Sequence, residues 1–168
     1  MIFETTVPPF IKTFKNLLAI LDKSAAYADS KKFQTEVLLQ SRLAPDMFPL
    51  MKQIQIACDT AKLGASRLTG KDAPTHADDE VTLAQIKARI TSVISYLESF
   101  SEKNYADSPA RQITTPRWEG KYLTGDEYAI HHVIPNFYFH ISMAYAILRN
   151  NGVDIGKKDY LGALPFKG

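Results

Sequence analysis

The sequence has only one cysteine, Cys58, among its 168 residues. A single thiol excludes an internal disulfide and any structural zinc site that needs several cysteines, so folding has to depend on side-chain packing. Such cysteine usage is typical of a reducing compartment, and we therefore expect a cytoplasmic protein.

Two other features are scarce: an excess of charge of one sign, and long apolar runs. Lys and Arg number 20 against 18 Asp and Glu, a net charge of +2, whereas nucleic-acid-binding domains usually carry a marked basic excess. No stretch approaches the roughly 18–20 consecutive apolar residues of a membrane-spanning helix, and the N-terminal MIFETTVPPF lacks a basic start followed by an apolar run. We expect neither nucleic acid nor a membrane as partner.

Helical periodicity dominates what is present. A chain of this length can bury roughly two-thirds of its unfolded surface in one core, so we expect residues 1–168 to form one domain. Four segments repeat apolar residues at helical spacing between capping or stop signals. They run from Pro8 to about Lys32, from Asp46 to Gly70, from Thr82 to Phe100, and from Thr124 to Asn150. The pattern predicts an all-α antiparallel four-helix bundle.

Smaller features complete the expected fold. Residues 112–115 and 121–124 flank a Gly-containing turn and predict a small β-hairpin between the third and fourth helices. On the third helix we expect Lys87, Arg89 and Glu98 to face away from the core, and we expect His76, in an acidic loop, to be exposed. The tail should contact the bundle through four residues: Ile155, Tyr160, Leu161 and Phe166.

Polar side chains interrupt the fourth helix near its middle. Pro135 removes one backbone hydrogen bond, so a kink is predicted just before it. Asn136 and His140 lie four residues apart and project from one helix face, while Gln55 and Asp59 have the same spacing on the second helix. We expect Asn136 and His140 to face Asp59 across the gap between these two helices.

Four motifs carry a wider resemblance: RLAPDMFPL at 42–50, QIQIACDTAK at 53–62, PNFYFH at 135–140 and AYAILRNNGVDIGKKDYLG at 144–162. In this order they resemble the DUF1993 family over nearly the whole chain. That family is similar to the DinB-like (YfiT-like) four-helix bundles. Many of those bundles bind a divalent metal through one histidine on the second helix and an H-x-x-x-H pair on the fourth.

The resemblance implies a set of metal ligands. His140 takes the place of the final histidine, because Leu-Arg follows it after eight residues and Gly after twelve, as in the DinB-like pattern. Asn136 takes the place of the first histidine of the pair, and the second helix has no histidine at all. The implied ligands are Asp59, Asn136 and His140, with Gln55 and His132 as alternatives. Amide oxygens bind zinc or nickel more weakly than imidazole, which favours a harder or loosely held divalent ion.

Three kinds of function stay open. The first is a DinB-like metalloprotein, which as an enzyme would be a metal-assisted transferase or hydrolase acting on a small molecule. The second is a metal-free module that binds a small ligand in the same pocket. The third is a non-catalytic homodimer, in which His140 and Asp59 belong to a structural hydrogen-bond cluster and Asn136 bonds backbone freed by Pro135.

Overall fold

The computed structural model describes residues 2–168, which are mostly helical. The α-helices are α1 (Ile2–Lys31), α2 (Glu36–Leu39), α3 (Leu50–Thr69), α4 (Leu83–Glu98), α5 (Gly125–Tyr128), α6 (Ile134–Asn150) and α7 (Lys157–Leu161). The strands β1 (Gln112–Ile113) and β2 (Leu123–Thr124) pair antiparallel, with Gln112 opposite Thr124. The predicted hairpin is therefore confirmed, although its strands are shorter than expected. Among the described residues, no helix is both long and apolar enough to cross a membrane.

The long helices α1, α3, α4 and α6 pack around one apolar core. Helix α3 contacts both α4 and α6, and α1 contacts α4. Aromatic rings fill the centre, where Phe10 and Phe137 stack with centroids 4.0 Å apart and Phe14 meets Phe137 edge-on. Burying large apolar side chains in this way is the main source of stability in a chain without disulfides.

Local signals set several helix ends as predicted. Gly70, with a φ of 79°, ends α3, because glycine adopts this left-handed conformation without steric cost. Thr82 and Gln85 form the predicted capping box of α4, and Thr124 and Glu127 form that of α5. These contacts need only neighbouring residues, which is why the sequence reveals them.

Two predicted helix starts were wrong. Helix α1 begins at Ile2, so Pro8 and Pro9 lie inside it rather than in its first turn. The buried side chains of Ile2 and Val7 extend its apolar face towards the N-terminus, and their packing outweighs the poor helical preference of the prolines. Helix α3 begins at Leu50 after Pro49, four residues later than the expected cap.

The predicted kink before Pro135 takes the form of a π-helical turn, Ala129–Val133, between α5 and α6. The backbone N–H of Ile134 donates to the carbonyl of Ala129, five residues earlier, and Pro135 falls in the first turn of α6, where it is tolerated. A π-turn inserts an extra residue and rotates the preceding side chains about the helix axis. His132 lies within this turn, and its ring stacks on that of Tyr128, four residues earlier, with centroids 5.3 Å apart.

The C-terminal tail only partly follows the prediction. Ile155 is buried and Tyr160 is half-buried against the core, as expected. Leu161 is exposed, and Phe166 is 86% exposed, so the prediction was wrong for both. Gly162, with a φ of 62°, ends α7, and the residues after it no longer pack against the helices.

Candidate functional site

His140 lies buried between α6 and α3, where its Nδ1 is 2.7 Å from Oε1 of Gln53. The amide nitrogen of Gln53 donates to the carbonyl of Phe48 at 3.1 Å, which fixes the amide with its oxygen towards the imidazole. Nδ1 must therefore carry the proton, and Nε2 holds a lone pair. Burial lowers the pKa of His140, so the ring is neutral at neutral pH.

Asn136 is oriented by a second relay one helical turn earlier on α6. The hydroxyl of Thr60 donates to the carbonyl of Ile56 at 2.7 Å, so its oxygen accepts from Nδ2 of Asn136, also at 2.7 Å. This arrangement turns Oδ1 of Asn136 away from Thr60. One of the open alternatives had Asn136 bonding backbone freed by Pro135, but its partner is a side chain of α3.

Asp59 directs its carboxylate towards α4 rather than towards His140. Its Oδ1 lies 2.8 Å from Nη2 of Arg89 and 3.0 Å from the ammonium of Lys62. Gln55 is also turned to this side, and its amide donates to Glu80 at 2.8 Å. The contacts of Asn136 and His140 across the helix interface are with Thr60 and Gln53, so the expected meeting with Asp59 was wrong.

Arg89 is buried, with a side chain only 1% exposed, so the prediction that it faces away from the core was wrong. Its guanidinium pairs with Asp59, Asp78 and Glu80, and we name these four residues the Arg89 cluster. Position 89 lies three residues after Ile86, on the apolar side of α4. Its long stem can pack there because three carboxylates neutralise its charge.

Acid should weaken the Arg89 cluster. Hydrogen bonds from Lys52 and then Arg89 hold the pKa of Asp78 below its ordinary value. Burial alone would raise the pKa of Glu80, but hydrogen bonds from Gln55 and Arg89 hold it below its ordinary 4.5. Carboxylates with a depressed pKa stabilise the folded state above their ordinary pKa, and this contribution is lost as the pH falls through the folded value.

We therefore expect the unfolding temperature, followed by circular dichroism, to fall steeply below the ordinary pKa of 4.5. The decline should be less steep in Arg89→Met. In that variant the carboxylates have lost their arginine partner, so protonating them removes unpaired charge instead of breaking ion pairs. An equally steep decline in wild type and Arg89→Met would contradict the role of the cluster.

His76 was expected to be exposed, but it is half-buried against α3 and α4. Its Nδ1 lies 2.7 Å from the ammonium of the buried Lys62, and its Nε2 lies 3.3 Å from the hydroxyl of Ser92. An ammonium can only donate, so Nδ1 accepts and Nε2 carries the proton. Burial and then the charge of Lys62 lower the pKa of His76. In this tautomer His76 cannot take a proton from Ser92 through Nε2, so the two do not form a nucleophile–base pair.

The donor atoms available to a metal are few. His140 offers Nε2 and Asn136 offers Oδ1, whereas the oxygen of Gln53 already accepts from His140. Within residues 2–168, no three His, Cys, Asp or Glu side chains are grouped so that they could hold an ion. Burial raises the pKa of Cys58 to about 12, so this thiol stays protonated. Two oriented donors fall short of the three protein ligands of a catalytic zinc site, so these residues do not fit a tightly held ion.

A separate cleft of about 550 Å³ lies against α3, and neither Asn136 nor His140 lines it. One stripe of α3 forms its floor with Lys52, Ile56, Asp59, Leu63 and Arg67. Residues 115–118 of the hairpin loop and His132 of the π-turn form the opposite wall, and Phe48 and Asp78 complete the lining. We name this space the α3 cleft. Of the predicted site residues, it brings together Asp59 and His132.

The hairpin loop and the π-turn build one aromatic wall of the α3 cleft. The ring of Trp118 meets those of Tyr128 and His132 edge-on, at 6.0 and 5.8 Å. The hydroxyl of Tyr128 accepts from Nη1 of Arg67 at 2.9 Å, which holds the guanidinium against this wall. Burial and then the charge of Arg67 lower the pKa of His132. Trp118 itself is half-buried and lines the α3 cleft.

Sequence reasoning missed Gln53, Arg67 and Arg89. A signal for Gln53 existed: Ala57 and Gly64 mark the face of α3 that approaches α6 closely, and Gln53 lies on that face four residues before Ala57. A Cβ on Gly64 would lie 2.8 Å from Val133, which shows how near the helices are. For Arg67 the signal is helical spacing. Steps of four, three, four and four residues from Lys52 lead through Ile56, Asp59 and Leu63 to Arg67, so all five lie on one stripe of α3.

Known proteins resemble the chain in sequence and in fold. A family model described as "Domain of unknown function (DUF1993)" matches residues 2–161. Among solved structures, the chain is similar to a DinB family member protein from Shewanella denitrificans, with 58% sequence identity and a TM-score of 0.97 over 100% of this chain and 96% of that chain. No curated protein matches the chain. The resemblance drawn from the four motifs is confirmed, and the chain belongs to the DUF1993 family.

Proposed function

We propose that this protein, built as an antiparallel four-helix bundle, is a small-molecule-binding module whose ligand occupies the α3 cleft. The observation that carries the proposal is the lining of the cleft. Its 550 Å³ falls within the range of small-molecule sites, and its lining combines apolar side chains with charged groups, several of which are oriented by hydrogen bonds or ion pairs. Phe48 is 53% exposed, so much of its apolar surface is in contact with water. A ligand bound against its ring would remove that surface from water.

The position of the cleft in the fold supports the same conclusion. Its rigid side is one stripe of α3, held in place by the Arg89 cluster through Asp59 and Asp78. Its other side consists of a loop and a π-turn, and π-turns recur at functional sites because they re-aim side chains without ending a helix. A groove of about 430 Å³ between α1 and α4 is lined by Phe3 and Phe100 as well as by Lys12 and Lys15, but no residue of the π-turn or of the hairpin loop takes part in it.

A thermal-shift screen with a chemically mixed library of acids, amines and neutral compounds tests this proposal. A compound present at about a hundred times its Kd should stabilise the folded state by about 2.7 kcal/mol, or about 5–10 °C for a domain of this size. Trp118→Ala and Phe48→Ala should reduce the shift. The matched control is Phe166→Ala, which removes an exposed ring of the tail that does not line the cleft.

Hits that stabilise Trp118→Ala and Phe48→Ala as strongly as wild type would place the ligand elsewhere and refute the proposal. A library without any stabilising compound would also count against it.

The family resemblance suggests a competing proposal, a divalent ion bound at Asn136 and His140. Asp59 would not be one of its ligands, because that carboxylate pairs with Arg89 and Lys62. We expect untagged protein, reloaded with zinc or nickel and then dialysed, to hold well below one ion per chain. One ion per wild-type chain that is lost in His140→Ala would favour the metalloprotein. The hydrogen bonds of His140 and Asn136 to α3 support a structural role for these two side chains. Sedimentation velocity would test whether the chain forms a homodimer.

A further inference from the structure

The charges of the α3 cleft are unequally satisfied. Both carboxylates of the lining have cationic partners: Asp59 pairs with Arg89 and Lys62, and Asp78 pairs with Arg89 and, at 2.7 Å, with Lys52. These acids are therefore already neutralised from the protein side. A cationic ligand would have to compete with arginine and lysine for them.

Two arginines of the lining have no such counter-charge. Neither Arg67 nor Arg117 makes an ion pair with a carboxylate anywhere in the part of the chain that the structure describes. The bond from Nη1 of Arg67 to Tyr128 uses one donor of the guanidinium, and Arg67 is half-buried. Arg117 is exposed on the facing loop. A planar guanidinium held in one orientation is suited to an anionic oxygen pair.

The remaining lining is suited to an apolar body. Ile56 and Leu63 contribute aliphatic surface from α3, and Phe48 and Trp118 contribute rings. Rings of this kind accept an aromatic or aliphatic group by stacking and by loss of exposed apolar surface. His132 is neutral and adds no further positive charge, because burial and Arg67 lower its pKa.

We propose that the α3 cleft binds a small organic anion with an apolar or aromatic body, the anionic group meeting Arg67 and Arg117 and the body lying against Trp118 and Phe48. This inference rests on the proposed function and narrows its ligand class. The inference is carried by two arginines that lack a carboxylate partner among the described residues and line a cavity with an aromatic wall.

A pair of probes of nearly equal shape isolates the charge. We would titrate the protein at low salt with 3-phenylpropionate and with the neutral 3-phenylpropionamide, following the fluorescence of Trp118, the only tryptophan. The acid should bind about tenfold more tightly than the amide, because charge-assisted hydrogen bonds are the stronger ones. Added salt should weaken binding of the acid and leave the amide unchanged.

Arg117→Gln should remove most of the preference for the acid without affecting folding, because Arg117 is exposed. Lys121→Gln is the matched control, since it removes an exposed cation of the same hairpin that does not line the cleft. A second readout is the pKa of His132, measured from its ring protons by NMR. The bound carboxylate should raise this pKa, whereas the amide should not.

Equal affinity for the two probes, no binding of either at millimolar concentration, or an equal effect of Arg117→Gln and Lys121→Gln would overturn the inference. If the screening hits are neutral or cationic and need Trp118 to bind, the anionic ligand class is refuted but the proposed binding module is not. Hits that ignore the cleft variants would refute both.

Discussion

Replacing Arg89 with methionine should lower the free energy of unfolding by about 3–5 kcal/mol, the usual cost of breaking a buried ion-pair network by removing one partner. Three carboxylates lose a shared counter-charge, and Glu80, with a side chain only 10% exposed, is the least able to turn to water. Asp59 and Asp78 are 32% and 34% exposed, so solvent screens part of their loss and places the effect near the lower end. Urea unfolding followed by circular dichroism measures this change in the free energy of unfolding.

Lys87→Met is the matched control on the same helix. Lys87 pairs with Asp22, whose side chain is 65% exposed. Exposed pairs of this kind contribute about 0–1 kcal/mol. If Arg89→Met proves no more damaging than Lys87→Met, the Arg89 cluster does not hold the floor of the α3 cleft as described.

Gly125→Ala should be more damaging still. A Cβ at position 125 would lie 1.7 Å from the backbone carbonyl oxygen of Ser108, so the backbone of one segment has to move. The affected contact joins the start of α5 to the loop before β1, where the N–H of Asp126 also donates to the carbonyl of Pro109. We expect a loss of more than about 4 kcal/mol, seen in thermal unfolding or as failure to accumulate folded protein.

The control for this substitution is Gly156→Ala. No heavy atom lies within 4 Å of a Cβ built at Gly156, and its φ of −136° is open to any residue. The change should cost less than about 1 kcal/mol, the usual range for an N-cap position. Similar unfolding temperatures for the two alanine variants would show that the segments around Ser108 and Gly125 are not closely packed.

Features that depend on neighbouring residues were predictable. The stop at Gly70 needs only a residue that tolerates positive φ, and the capping boxes at Thr82 and Thr124 need only a partner three residues later. The hairpin followed from its turn residues. The apolar stripes likewise located the long helices, because a helix face repeats with a fixed period.

Features that depend on distant partners were not predictable. Arg89 was assigned to the surface because a lone charge is costly in a core, and its three carboxylate partners come from α3 and from a loop ten residues earlier in the chain. One of the open alternatives placed His140 in a hydrogen-bond cluster with Asp59, yet the partner in the structure is Gln53. The sequence restricts which helix faces another but not the rotation of each helix about its axis.

The π-turn carries one of the candidate residues, His132. In an uninterrupted helix His132 would share a face with Asn136, four residues later, and with Tyr128, four residues earlier. In the structure its ring stacks on Tyr128 and meets Trp118 edge-on at the rim of the α3 cleft, whereas Asn136 bonds Thr60. The candidate residues are thus divided between two places: a hydrogen-bonded pair on α6, and a cavity lined by α3 and the hairpin loop.

The most direct test is a crystal structure of the protein with the compound that stabilises it most in the screen. The account predicts ligand density between the α3 stripe and Trp118, with Phe48 less exposed than its present 53%. Density at any other surface, with the α3 cleft holding only solvent, would contradict it.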